Sequence, residues 1–103
     1  MRRTTRPVLI GNVTVGGGKL VLIAGPCVVE SRKLIFSTAE RIQKIARKFS
    51  LPCIFKSSYK KANRTSGGTF TSIGMDEALR ILDDAKSEFG MPILTDVHSA
   101  EEV

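Results

Sequence analysis

The chain has 103 residues, 42% apolar and 25% charged, with two cysteines and a formal net charge of +6. That length holds one domain or part of one, and the composition excludes a disordered or fibrous protein. The basic balance, with a pI of about 9.8, suits anionic partners (phosphorylated metabolites, nucleic acid, an acidic membrane surface) or simply a well-solvated exterior.

Arg2, Arg3 and Arg6 precede an apolar run of only Val8–Ile10. No signal-peptide core forms there, and no segment approaches a membrane-spanning length. Val8–Ile10 and Val13–Val15 flank Gly11-Asn12 and predict a β-hairpin over about 8–15. After the joint Gly16-Gly17-Gly18, Leu20–Ala24 is a continuous apolar run, the pattern of a strand covered on both faces. Gly25-Pro26 ends it. From about Ser31 to Ser50, Leu34, Ile35, Ala39, Ile42, Ile45, Ala46 and Phe49 recur in steps of three and four, so an amphipathic helix is expected.

Pro52 separates that helix from a strand at Cys53–Phe55. The polar, glycine-containing stretch from Ser57 to Gly74 is long for a connection, which marks it as functional or disordered. Met75–Phe89 reads as a second helix with Ala78, Leu79, Leu82, Ala85 and Phe89 on one face, acidic Asp76 and Glu77 at its start and Gly90 as its C-cap. Ile93–Val97 is a third strand. Ser99-Ala100-Glu101-Glu102 has the form of a capping box and predicts the start of a third helix.

The order hairpin, then β-α-β-α-β, implies an α/β fold of parallel strands with helical crossovers. Three such strands leave a sheet edge open, so self-association is expected. A doubly wound sheet or a (β/α)8 barrel, typically about 250 residues, would complete them. The expectation is that residues 1–103 form the N-terminal part of a (β/α)8 barrel, with its first three strands and two helices over about 20–97. Cys27 and Cys53 show no framework spacing, which fits a reducing cytoplasm rather than a disulfide scaffold.

Active-site residues of barrels project from the C-terminal strand ends. That rule selects Ala24–Ser31, Phe55–Gly68 and Thr95–His98. The middle segment gathers Lys56, Lys60, Lys61, Asn63 and Arg64 among hydroxyl groups, either an anion site or a wet basic loop. Cys27 is a candidate nucleophile or soft metal ligand, though a plain buried cysteine is the commoner case. Cys53 belongs to the core. His98, the only histidine, follows Asp96 by two places and would share its face; a lone histidine is more often structural.

Ala24-Gly25-Pro26-Cys27 with Glu30-Ser31, Phe55-Lys56-Ser57-Ser58, Lys61-Ala62-Asn63-Arg64-Thr65-Ser66 and Thr95-Asp96-Val97-His98 stand in a fixed order and spacing. Together they resemble the 3-deoxy-D-manno-octulosonate 8-phosphate synthases, from about Leu20 to the C-terminus. The resemblance implies a (β/α)8 barrel closed below by an N-terminal hairpin. It also implies condensation of phosphoenolpyruvate with arabinose 5-phosphate and water for lipopolysaccharide synthesis, and a homo-oligomer at full length. By position, Lys56 and Lys61 would hold phosphoenolpyruvate. Asn63, Arg64, Thr65 and Ser66 would grip the aldose and its phosphate, and Asp96 would bond sugar hydroxyls; Lys56, Lys61, Asn63 and Asp96 would form the catalytic set. Cys27, where metal-independent members carry Asn, implies a divalent metal whose other ligands come from later strands.

The chain departs from the pattern at Tyr59-Lys60, where Phe-Asp is usual, and at Gly67–Ser72, which lacks the usual Arg and His. The related heptulosonate 7-phosphate synthase, which uses erythrose 4-phosphate, shares Ala-Gly-Pro-Cys but typically reads Lys-Pro-Arg-Thr-Ser, so Asn63 favours the octulosonate enzyme. With so few barrel strands, residues 1–103 alone are expected to be inactive, a truncated relic if no longer chain exists. The competing class is a basic nucleic-acid-binding module. It has charge in its favour but no recognition-helix motif, and only Tyr59 and Phe70 as aromatics near the basic loop.

Overall fold

A computed structural model describes residues 5–60 and 73–103. Strands β1 (Val8–Ile10) and β2 (Val13–Val15) pair antiparallel, with Val8 opposite Val15 and Ile10 opposite Val13. Gly11 takes φ 57° in the turn between them, a conformation that costs glycine nothing. Strands β3 (Leu22–Ala24), β4 (Cys53–Lys56) and β5 (Ile93–Leu94) form a separate parallel sheet in that order. Helix α1 (Arg32–Lys48) connects β3 to β4, and α2 (Met75–Phe89) precedes β5.

Local chemistry sets the helix ends. Ser31 is extended, and its hydroxyl accepts the Leu34 N–H at 3.1 Å, capping α1. At the other end Ser50 takes φ 54°, while the Ser50 and Leu51 N–H groups bond back to Arg47 and Ala46 carbonyls. This is a Schellman stop with serine where glycine is usual. Helix α2 carries Asp76 and Glu77 against its positive end, and stops at Gly90 with φ 66°.

Both helices lie against one face of the sheet. Leu22, Cys53, Phe55 and Ile93 meet Ile35, Ala39 and Ala46 of α1 and Ala78, Ile81, Leu82 and Ala85 of α2. The buried stripes are rotated from those expected: Leu34, Ile45, Phe49 and Leu79 are exposed, and Ile81 is in the core. The spacing 78, 81, 82, 85 forms one continuous stripe, whereas Leu79 lies beside it. An Arg32–Asp84 ion pair at 2.7 Å links the two helices at the surface, where such pairs contribute little.

The strands are shorter and less enclosed than the sequence implies. The first ladder begins at Leu22, not Leu20, and Leu20 and Ile23 are 75% and 50% exposed. Strand β3 is an edge, and no described helix lies on the face that Ile23 shares with Leu94, so its apolar run is not covered on both sides. The third strand stops at Leu94 rather than Val97. The expected third helix is a single 3-10 turn, Ala100–Glu102. Among the described residues no helix is long and apolar enough to cross a membrane.

The β3–β4 pairing outlasts β3 itself. Beyond Gly25-Pro26, the Ser58 N–H bonds to the Cys27 carbonyl at 3.2 Å, and the Val29 N–H to the Ser58 carbonyl at 2.9 Å. Gly25 makes this possible, because a Cβ there would lie 1.7 Å from the Lys56 carbonyl oxygen. A backbone obstacle cannot swing aside as a side chain can. Gly25→Ala is therefore expected to lower stability by more than about 2 kcal/mol; a urea midpoint equal to that of the unaltered chain would show that the two strands separate freely.

Candidate functional site

The close approach at Gly25 opens into a cleft of about 210 Å³ at the C-terminal ends of β3 and β4, lined by Ile23–Cys27 and by Lys56, Ser57 and Ser58. A larger groove of about 340 Å³ lies between the hairpin turn and Gly90–Ile93, at the opposite end of β5. Its only ionisable lining group is Lys86; the smaller cleft is the one that joins a thiol and an ammonium group at the C-terminal strand ends.

Cys27 follows the rigid Gly25-Pro26 step on an edge strand and is exposed. The buried-cysteine alternative is thereby corrected. Cys53 is buried beneath the helices, and desolvation raises its thiol pKa. Lys56 is the exposed last residue of β4, and Ser57 behind it is buried.

Asp96 and His98 come to the same end of the sheet from beyond β5, with Asp96 Oδ2 3.9 Å from His98 Nε2. The neighbouring Ser58 hydroxyl, helped by the nearby His98 and Lys56, holds the Asp96 carboxyl below its ordinary range despite partial burial. Ser57 Oγ, Thr95 Oγ1, Asp96 Oδ1 and His98 Nε2 are buried without a protein hydrogen-bond partner. Four such atoms beyond the ends of two adjacent strands are unsatisfied polar groups beside the cleft.

A second cluster adjoins it. Glu102 accepts hydrogen bonds from the Tyr59 hydroxyl and, at 3.0 Å, from the His98 N–H, and it pairs with Lys60 Nζ at 3.4 Å. These donors, the phenol first, hold its carboxyl below the ordinary range. Tyr59 is buried and meets the His98 ring edge-on at 5.3 Å. The sequence marked Glu102 only as half of a capping box, yet Ser99 makes no side-chain cap bond. Of the residues singled out earlier, Cys27 and Lys56 share the cleft and Asp96 stands beside Ser58. Lys61, Asn63, Arg64, Thr65 and Ser66 lie outside the described residues, as does Gly67–Ser72.

Among the described residues, no three His, Cys, Asp or Glu side chains are grouped so as to hold a metal. Cys27 is at most one ligand, and what is described does not by itself fit a metal centre.

Comparison with known proteins decides the ancestry. The sequence profile of the DAHP synthetase I family matches residues 3–103. The chain belongs to that family. Among its relatives, the 2-dehydro-3-deoxyphosphooctonate aldolase of Trichlorobacter lovleyi is 53% identical over 100 residues, 96% of this chain and 37% of the relative. The enzyme of that name from Geobacter metallireducens is 50% identical over the same shares, and that from Burkholderia multivorans 55% over 80% of this chain and 29% of the relative. The chain thus spans about a third of the length of these curated relatives. Their name denotes the octulosonate 8-phosphate synthase that the motifs resemble.

The two thiols should react very differently. A chromogenic disulfide reagent is expected to titrate one cysteine rapidly in the native chain and the second only after denaturation, with Cys27→Ser abolishing the fast phase. Two fast thiols would contradict the burial of Cys53.

Proposed function

We propose that the chain is the N-terminal part of a cytoplasmic (β/α)8-barrel synthase. The enzyme condenses phosphoenolpyruvate with arabinose 5-phosphate and water, giving 3-deoxy-D-manno-octulosonate 8-phosphate and inorganic phosphate for lipopolysaccharide precursors. One observation carries this reading: Cys27, Lys56 and Ser58 line one cleft at the carboxyl ends of parallel strands, where α/β folds bind their ligands.

In the proposed reaction the methylene carbon of phosphoenolpyruvate bonds to the aldehyde carbon, whose C=O π bond breaks and takes up a proton to become a hydroxyl. Water adds at the carbon bearing the phosphate ester, and phosphate departs. Both organic reactants are anionic, so fixed cations do most of the work. Lys56 and Lys61 hold the phosphoenolpyruvate anion; Asn63, Arg64, Thr65 and Ser66 grip the aldose and its phosphate. Asp96, kept ionised beside Ser58, is a pure acceptor suited to sugar hydroxyls. A divalent metal is proposed with the Cys27 thiolate as one ligand, its chemistry being to polarise a bound oxygen. Such a metal would need further donors, since among the described residues no three His, Cys, Asp or Glu side chains are grouped.

Asn63 and the names of the relatives favour the five-carbon aldose. The heptulosonate enzyme, whose name the family bears, is the second reading. Neither nucleic acid nor membrane is a proposed partner, and the full-length enzyme is proposed to be a homo-oligomer.

Calorimetric titration tests the reading. Phosphoenolpyruvate should bind the chain, and Lys56→Ala should weaken it about tenfold or more, the loss of one charged hydrogen bond. Residues 1–103 alone should release no phosphate. A chain extended to the relatives' length should release it with arabinose 5-phosphate rather than erythrose 4-phosphate, and lose activity on chelation. Affinity indifferent to Lys56, or salt-sensitive DNA binding in place of phosphoenolpyruvate, would sink the proposal.

A further inference from the structure

Tyr59 is 2% exposed, and a buried phenol needs a partner for its hydroxyl. The partner is Glu102, 43 positions along the chain. The same carboxylate takes the Lys60 ammonium from the segment after β4 and the His98 N–H from the segment after β5. One residue therefore ties the two segments that bring Ser58 and Asp96 together. The Tyr59 ring relays the contact: it meets His98 at an interplanar angle of 76°, and His98 in turn stands beside Asp96. Since Ser99 makes no side-chain cap bond, Glu102 is not acting as the second half of a capping box.

We infer that Glu102 is a positioning residue, a carboxylate latch that joins Tyr59 and Lys60 to His98 and so sets how the Asp96–His98 segment stands against the Lys56–Ser58 wall of the cleft. The inference rests on the phosphoenolpyruvate reading of that cleft, since positioning has meaning only for a ligand held there. The Tyr59 hydroxyl and the His98 N–H are the bonds that hold the latch, both to an ionised acceptor; the Lys60 pair, at 3.4 Å and partly exposed, adds little.

Its test uses Glu102→Gln, Tyr59→Phe and the two combined, with the exposed neighbour Glu101→Gln as control. Tyr59 is the only tyrosine and the chain has no tryptophan, so phenol absorbance reports on it alone. Burial and the Glu102 carboxylate raise its pKa above the ordinary 10.0. Glu102→Gln should lower the pH at which it ionises, though not fully, because the burial remains. The dissociation constant for phosphoenolpyruvate should rise roughly three- to tenfold in each single variant, less than for Lys56→Ala because the latch acts on the ligand only through its neighbours. The double variant should be no worse than the weaker-binding single one, since both act through one contact.

Circular dichroism separates loss of the latch from loss of the fold. A folded Glu102→Gln protein with unchanged phosphoenolpyruvate affinity would overturn the inference alone, as would single effects that multiply in the double variant. Should Glu102→Gln not fold, Tyr59→Phe, which keeps the ring against His98, decides in the same way. If the unaltered chain binds no phosphoenolpyruvate, the functional reading fails and this inference fails with it.

Discussion

The site depends on how closely two backbones meet at Gly25. A parallel pair needs its strands within hydrogen-bonding distance, and here that spacing is kept past the end of β3, through a Gly-Pro step that breaks the regular ladder. The Lys56 carbonyl occupies the space a side chain at position 25 would fill. Because pairing resumes at Cys27, Val28 and Ser58, the thiol on one strand and the lysine on the next end on one cleft instead of splaying apart. A conformational need for positive φ plays no part, since Gly25 is absent from the positive-φ glycines; the demand is for room.

The two faces of the sheet have different physical tasks. The face under the helices buries Leu22, Cys53, Phe55 and Ile93, and apolar contact there anchors β4 as the central strand. The opposite face carries Ile23, Ile54, Leu94 and, at its C-terminal end, Lys56; Ile54 on the central strand is buried, while Ile23 and Leu94 on the outer strands are exposed. Parallel sheets are ordinarily covered on both sides. The exposure of Ile23 and Leu94 follows from a helix layer on one side only among the described residues, not from any polarity of the strands.

The helices were legible because a period of 3.6 and a cap are local signals: Ser31, Gly90 and the apolar spacing need no tertiary information. The facing of the stripes was less so. Leu79 and Ile81 are equally apolar, and only the packed partner decides which is buried. Strand limits were blurred for a similar reason. Leu20-Val21 and Thr95–Val97 have strand composition but no partner in the ladder, and pairing is a property of two segments. At the candidate site, motif spacing singled out Cys27, Lys56 and Asp96, whereas Tyr59 and Glu102 meet across 43 positions. The substitution of Tyr59-Lys60 for Phe-Asp was visible, but its partner was not, since Ser99–Glu102 imitates a local cap.

Charge bookkeeping around the cleft carries one further consequence. Lys56 stands near Asp96, and Lys60 is paired with Glu102. With Asp96 and Glu102 both held ionised, the four groups sum to zero formal charge. A neutral cluster orients a ligand but does not attract an anion over distance. On the proposed function the attraction would come from groups without such counter-charges in the sequence around them, and the run that follows Lys60 supplies Lys61 and Arg64 with no acidic residue before Asp76. On this division the β4 and β5 ends would fix geometry, and the basic run that follows in the sequence would provide the field. A charge-conserving exchange such as Lys61→Arg would then preserve encounter with an anionic ligand, while a change in the Lys56–Asp96 pair would alter how that ligand sits.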